Sequence, residues 1–172
     1  MAEITTSMVK DLREATGAGV MDCRRALEEA NGDAKKAAEL LREKGIAAAA
    51  KRADREAKQG VVESYIHAQG RIGVLLELNC ETDFVANTDN FRALAKNIAM
   101  QIAAMNPQVV SVEDRAGKEI EGKDEEVVLL AQPHVNGDKF DGKTIDQIRG
   151  DLSAKTGENV EVRRFVRFAV GE

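Results

Sequence analysis

Aromatic residues are scarce in this chain of 172 residues, which has no Trp, one Tyr and five Phe. An aromatic ring in a polar loop therefore calls for an explanation other than core packing. Cysteine is scarcer still, with only Cys23 and Cys80, which form no CxxC pattern, so we expect reduced thiols and no disulfide. A zinc site built from both cysteines with His67 and His134 is an alternative that their scattered spacing does not support. We predict neither a metal site nor a cofactor.

Long apolar runs are also missing, since none approaches the ~20 residues that a membrane-spanning helix needs. The N-terminus resembles neither a signal segment nor a transit peptide, so we expect a cytoplasmic protein that does not bind membranes. The net charge of −5 weighs against general nucleic-acid binding, which requires a surplus of Lys and Arg. Residues 51–58 mix acids with bases, which is more typical of a solvated helical face than of a nucleic-acid site.

Residues 1–45 show three short helical patterns separated by turn residues, and Gly45 is expected to end the third. The second pattern has an apolar stripe at spacings of three and four: Val20, Cys23, Leu27 and Ala30. Helices this short are marginal alone, so we predict a packed three-helix module of the ubiquitin-associated type. Met21 lies about 100° around the helix from Val20 and projects outward, either towards a partner or over the edge of the core.

Residues 46–59 are rich in Ala and charge and predict a helical linker, and residues 60–172 predict an α+β domain. An antiparallel hairpin is expected around a turn at Gln69-Gly70. A strong amphipathic helix follows a Thr88-Asp89 cap and ends before Pro107.

The remaining segments predict two more strands and one more helix. The apolar run at residues 127–131 predicts a strand, and Thr144 opens a capping box for a helix that Gly157 ends. The last strand is expected to place its apolar residues on one face: Val160, Val162, Val166, Phe168 and Val170.

Residues 137–144 match the phosphate-loop pattern GxxxxGK[ST], in which Lys143 would contact phosphate. Two features oppose a nucleotide site. Asp138 and Asp141 would put negative charge into a phosphate cradle, and too little chain follows to complete a doubly wound sheet. A Gly- and Asp-rich loop before a helix cap explains the same residues, so no bound nucleotide is expected.

Asp83 and Phe84 fall in the loop between the hairpin and the amphipathic helix. A protruding aromatic ring beside a carboxylate has the form of an anchor for another protein. Alternatively, Phe84 folds back as a staple under the following helix. Composition and spacing leave both interpretations open.

Four segments carry the most specific patterns of the chain: residues 79–85 (NCETDFV), residues 12–27 (LREATGAGVMDCRRAL), Gln132-Pro133 and residues 162–168 (VRRFVRF). They resemble the translation elongation factor Ts family, the first segment its central motif and the second its opening signature. The resemblance covers nearly the whole chain.

This resemblance implies a guanine-nucleotide exchange factor without covalent chemistry that acts on elongation factor Tu. The loop of Thr82, Asp83, Phe84 and Val85 would insert near the partner's magnesium site and promote GDP release. In the N-terminal module, Val20 and Met21 would grip the same GTPase domain. Residues 60–172 would contact another domain of the partner.

The chain also departs from the family pattern. Residues 108–126 are shorter than in most relatives, His134 stands where Phe is common, and no helical extension follows Phe168. These differences put the second partner contact in doubt, and the oligomeric state stays open. The rival functions are a helical adaptor, which needs no protruding loop, and an NTPase, which needs Lys143.

Overall fold

The computed structural model describes residues 4–172, apart from the side chains of residues 46, 49 and 50. The chain forms two compact units that divide between Lys51 and Arg52. The first unit is helical, and the second combines helices with an antiparallel sheet. This confirms the α+β fold class.

The first unit consists of α1 (Thr6–Thr16), α2 (Val20–Glu29) and α3 (Ala34–Ala50). Its small core comes from all three helices: Val9, Leu12, Cys23, Ala26, Leu27 and Ala37. Thr5 caps α1 by accepting a hydrogen bond from the Met8 amide, and a left-handed Gly17 ends it. The predicted three-helix module is therefore confirmed.

Three details in and directly after this module differ from the prediction. Gly45 does not end α3, which continues to Ala50, because a single helical Gly costs only about 1 kcal/mol and the Ala-rich residues after it favour helix. Residues 51–55 then form turns, where a helical linker was predicted. Val20 was assigned to the buried stripe but is half exposed, since it lies in the first, uncovered turn of α2.

The second unit is built on a three-stranded antiparallel sheet in the order β1 (Gln59–His67), β2 (Ile72–Cys80) and β3 (Glu161–Ala169). The turn between β1 and β2 passes through left-handed residues at Ala68, Gln69 and Gly70, as a tight reversal requires. The predicted hairpin is confirmed.

The face assignment predicted for β3 is wrong beyond Val162. Leu78 pairs with Val162 but Glu77 pairs with Arg164, so Arg163 is an extra residue in a bulge. After the bulge the side chains exchange faces. Val162 is buried, whereas Phe168 is 72% exposed on the face away from the core.

After β2 the chain forms two helices, α4 (Asp83–Ala86) and α5 (Asp89–Met105), each preceded by a short connection. Both helices pack on the inner face of the sheet. Thr88 caps α5 through its hydroxyl, which accepts from the Phe91 amide, and Asn106 ends it in the left-handed conformation, so the predicted helix is confirmed. The largest fully buried side chains of this core are Phe91, Leu76, Leu78, Ile98, Ile102, Leu129 and Ile145.

The strand predicted at residues 127–131 does not form. The segment instead closes α6 (Asp124–Val127), makes one bridge between Val128 and Val109, and turns into a single 3-10 turn at Leu129–Ala131. Val128 and Leu129 are fully buried. A short apolar run signals burial but does not distinguish a strand from other buried backbone.

The last helices are α7 (Gly137–Phe140) and α8 (Ile145–Thr156). Thr144 and Gln147 form the predicted capping box of α8, and the left-handed Gly157 ends it. Both predictions are confirmed, and they fix the direction in which the chain leaves α8 towards β3.

His134 lies in a buried connection before α7. Gln101 of α5, fully buried, donates to the Gln132 side chain (3.1 Å) and the Pro133 carbonyl (3.1 Å). The His134 ring packs on Phe140 with 4.2 Å between ring centroids. Burial and, less strongly, the charge of Lys139 lower the pKa of His134, so the ring is held neutral.

Gly60 lies where β1 begins beside the end of β2. Its φ is 153°, and a Cβ added there would lie 2.1 Å from the Leu78 carbonyl oxygen and 2.8 Å from Asn79 Cα. Both neighbours are backbone atoms of the paired strand, so neither can move without disturbing the sheet. The close approach of the two strands thus requires glycine.

We expect Gly60→Ala to lower the free energy of unfolding of the second unit by about 1–3 kcal/mol, because the two strands must separate. Urea titration followed by Tyr65 fluorescence measures this change in stability. Tyr65 lies in β1 and is the only Tyr, and the chain has no Trp whose emission would mask it. Gly137→Ala is the matched control, because nothing lies within 4 Å of the added methyl group. Equal stability of the two variants would contradict this account.

Candidate functional site

Phe84 has the largest exposed fraction among the big apolar side chains in the described part of the chain, 83%. It lies on the single turn of α4, directly after β2, and Asp83 beside it is also exposed. The ring is therefore not folded under α5, and the staple interpretation is wrong. An aromatic ring and a carboxylate project together from the surface.

Two buried residues orient α4. Val85 and Ala86 are 9% and 5% exposed and pack in the main core. Because successive residues of a helix are about 100° apart, this inward pair leaves Phe84 on the outward side. Of the four residues predicted in the loop, Val85 is thus the one that is buried in the core.

Thr82 forms the N-terminal cap of α4. Its hydroxyl accepts from the Val85 amide (3.4 Å), and its carbonyl accepts from the Cys80 thiol (3.1 Å). Burial, with a smaller contribution from the charge of Glu158, raises the pKa of Cys80 to about 11. The thiol is therefore protonated at neutral pH and acts as a hydrogen-bond donor, not as a nucleophile.

A group of four residues, here named the turn clamp, joins this turn to the segment before β3: Glu81, Thr82, Glu158 and Asn159. One carboxylate oxygen of Glu158 accepts from the Glu81 amide (3.1 Å) and the Thr82 amide (3.0 Å). The other oxygen accepts from the Thr82 hydroxyl (2.5 Å). In return, the Glu81 carboxylate accepts from the Asn159 amide (2.6 Å).

The clamp extends to the start of the second unit. The Asn159 side chain, 3% exposed, donates to the Ala53 carbonyl (3.2 Å) and the Arg55 carbonyl (2.8 Å). Arg55 also forms an ion pair with Glu81 at 3.5 Å. Three separate segments of the chain therefore meet at the start of the turn that carries Phe84.

Sequence reasoning missed Glu158 and Asn159. Glu158 is 76 residues from Thr82, and only a helix stop at Gly157 marks its surroundings. No local pattern announces that a carboxylate after a helix will accept from a distant turn. The sequence showed only that a Glu-Asn pair lies between the end of a helix and the start of a strand.

The C-terminal end of the turn is also held. The Asn87 amide and side chain both donate to the Asp83 carbonyl, each at 3.0 Å. Arg92 of α5 donates to the Asn87 side chain at 3.0 Å. The Asp83 carboxylate makes no such contact among the described residues and is left facing solvent.

Val20 and Met21, the two residues predicted to contact a partner from the N-terminal module, are 51% and 59% exposed. Both lie in the first turn of α2, after the extended Gly19. They form a second exposed apolar pair, on a unit of their own.

The segment that matches the phosphate-loop pattern has a different structure. Its first four residues form α7, and Asp141 takes a left-handed conformation before the cap of α8. Lys143 is bound to Asp151 at 2.7 Å. No strand leads into the motif among the described residues, so the loop lacks the strand-to-helix geometry on which a phosphate cradle depends.

Residues 4–172 contain no group of three or more His, Cys, Asp or Glu arranged to hold a metal ion. None of the helices in the same range has both the length and the apolar character of a membrane span.

Comparisons with known proteins indicate one family over most of the chain. A family model described as "Elongation factor TS" matches residues 2–134. Elongation factor Ts of Desulforamulus reducens is 52% identical over 201 aligned positions, covering 100% of this chain and 91% of that protein. The Carboxydothermus hydrogenoformans protein of the same name is 52% identical, with 98% and 90% covered. That of Anaeromyxobacter sp. strain Fw109-5 is 50% identical, with 100% and 90% covered.

These matches first define a class, the elongation factors of protein synthesis. Within that class, the chain belongs to the elongation factor Ts family. Membership supports a role as a nucleotide exchange factor in translation elongation. The alignment with the D. reducens protein has more positions, 201, than the chain has residues, 172, so that relative carries residues that this chain lacks.

Proposed function

We propose that this protein binds elongation factor Tu in its GDP-bound form and promotes GDP release by inserting the Asp83-Phe84 turn beside the magnesium and phosphate site. The observation that carries the proposal is the 83% exposure of Phe84 on a turn held by buried residues and the turn clamp. The protein makes and breaks no covalent bond in this scheme. It also needs no cofactor and binds no nucleotide itself.

The exposed ring is suited to fill a pocket in a partner. Burying a Phe side chain contributes about 1.5–3 kcal/mol. Because the turn is already ordered, little conformational entropy is lost when the ring enters the pocket. Thr82 and Val85 would act by holding the turn, and Phe84 by occupying the partner.

The acid beside the ring has a separate role. Magnesium requires near-ideal octahedral geometry and bridges nucleotide phosphates to protein. The solvent-facing carboxylate of Asp83, brought near this ion, would disturb the polar groups and waters that hold it. A small displacement by the ring and the acid would then weaken GDP binding greatly.

The thermodynamic condition is that the exchange factor binds empty elongation factor Tu more tightly than the GDP complex. By linkage, GDP then weakens binding of the exchange factor by the same ratio. GTP binding to the empty partner completes the exchange and releases the factor. Phe84 thus acts on the binding equilibrium and barrier of its partner, not on a chemical step.

We expect Phe84→Ala to slow GDP release from elongation factor Tu at least tenfold, since about 1.4 kcal/mol changes a rate tenfold and the ring contributes that much or more. Stopped-flow release of fluorescent GDP measures the rate. The thermal transition of the variant should match the parent, because the ring is exposed.

Two further variants control this experiment. Phe84→Leu keeps an apolar side chain and should retain part of the activity. Val112→Ala shortens another apolar side chain, 51% exposed, and should leave the rate within about twofold. An unchanged rate for Phe84→Ala would refute the assignment. Mixing the parent protein with fluorescent GDP alone also tests for direct nucleotide binding.

Magnesium removal tests the second half of the mechanism. A chelator should speed spontaneous GDP release and should shrink the further acceleration by the exchange factor, because the turn would have less metal coordination left to disturb. Release rates with and without the factor are compared at matched concentrations of free magnesium. The proposal of a magnesium-directed wedge is wrong if the acceleration is the same without the metal.

Val20 and Met21 would supply affinity away from the nucleotide site. We expect the double variant Val20→Ala, Met21→Ala to raise the concentration of factor needed for half-maximal release severalfold, by removing about 1–2 kcal/mol of apolar contact. The maximal rate should change little. Met105→Ala, which shortens a Met that is 43% exposed on α5, is the control. A lower maximal rate with unchanged half-saturation would overturn this division of roles.

A further inference from the structure

Glu158 is placed to control the turn that carries Phe84. Its carboxylate accepts three hydrogen bonds from the two residues that precede Asp83, at 3.1, 3.0 and 2.5 Å. Hydrogen bonds to a charged acceptor are stronger than those between neutral groups. A single distant side chain therefore fixes the backbone at the point where the turn begins.

Glu158 is itself held firmly. The left-handed Gly157 ends α8, and its amide donates to the Ser153 carbonyl (2.9 Å). The hydroxyl of Ser153, a buried residue, donates to the Glu158 carbonyl (2.6 Å), and the Glu158 amide donates to the Thr156 hydroxyl (3.4 Å). The Glu158 carboxylate thus extends from the end of a packed helix. The position of α8 therefore determines where the turn is held.

The turn needs such support because α4 has only four residues and cannot be stable by itself. The hydrophobic effect favours moving the exposed Phe84 ring onto nearby apolar surface. Val85 and Ala86 anchor the inner side of α4, but they do not fix its N-terminal end. The hydrogen bonds from Glu81 and Thr82 to Glu158 supply that second attachment.

We infer that Glu158 is a positioning residue for nucleotide exchange, which keeps the Thr82–Ala86 turn in the conformation that holds Phe84 in solvent. The inference rests on the proposed function for its effect on GDP release. Its structural half concerns the free protein and is testable without a partner.

The first experiment measures GDP release at a fixed, subsaturating concentration of the factor. We expect Glu158→Ala to slow release about tenfold, equal to about 1.4 kcal/mol. Glu158→Gln should be slowed less, because one amide oxygen can still accept from both backbone amides. Glu161→Gln is the matched control, since it removes the same charge three residues away, and that side chain makes no hydrogen bond among the described residues.

A double-mutant cycle separates positioning from a general loss of stability. If Glu158 acts through Phe84, then Glu158→Ala in the Phe84→Ala background should change the rate by less than about twofold. A further tenfold loss in that background would show that Glu158 acts elsewhere and would overturn the inference.

The second experiment uses the absence of Trp in the chain. Phe84→Trp introduces the only Trp, which can be excited selectively over Tyr65, and its anisotropy in the free protein reports how tightly the turn is held. We expect Glu158→Ala to lower this anisotropy and Glu161→Gln to leave it unchanged. If Glu158→Ala does not fold, Glu158→Gln serves in both experiments.

The outcomes distinguish the proposed function of Phe84 from the inference about Glu158. Full exchange activity of Phe84→Ala refutes the proposed function, while the anisotropy still decides whether Glu158 holds the turn. If Phe84→Ala slows GDP release while Glu158→Ala keeps the full release rate, only the inference about Glu158 is refuted. Unchanged anisotropy in Glu158→Ala likewise refutes it.

Discussion

An aromatic ring kept in water is the constraint on which the candidate site depends. Leaving a Phe side chain exposed forgoes about 1.5–3 kcal/mol of burial. The turn that carries Phe84 is nevertheless a defined structure, because Val85 and Ala86 are buried below it and the turn clamp holds its N-terminal end. The order of the turn comes from the residues around the ring and not from the ring itself.

The position of the turn follows from the ends of three elements. β2 ends at Cys80 in the core, α5 begins after the Thr88 cap, and α8 ends at Gly157 directly before Glu158. Each end has chemistry that fixes it: a buried thiol donor, a hydroxyl cap and a left-handed glycine. A protruding group on such a frame is displaced less by contact than one on a long, unsupported loop.

Local chemistry allowed much of this fold to be predicted. The hairpin, α5 and α8 were found because caps, turn residues and periodic apolar positions specify them within a few residues. Two errors arose where the deciding contact is remote. One extra residue in the ladder at Arg163 reverses the faces of β3, and the apolar run at residues 127–131 is buried without joining the sheet.

The candidate site was predictable to a similar extent and for the same reason. Asp83 and Phe84 stand out as a polar-loop aromatic pair, and their exposure agrees with an anchor and not with a staple. The clamp residue Glu158 was not predictable, since the contact spans 76 residues of sequence. Sequence patterns thus singled out Asp83 and Phe84, and only the fold revealed that they protrude and which residues hold them.

Stiffness of the turn bears directly on how exchange would work. When two surfaces are pressed together, strain collects in the more compliant one, so a mobile turn would rearrange before it displaced a partner's magnesium ligands. In the proposed mechanism, the clamp therefore matters as much as the ring, because it directs the free energy of binding into the partner. In that scheme the ring would provide affinity, and the support would convert that affinity into displacement of the partner's ligands.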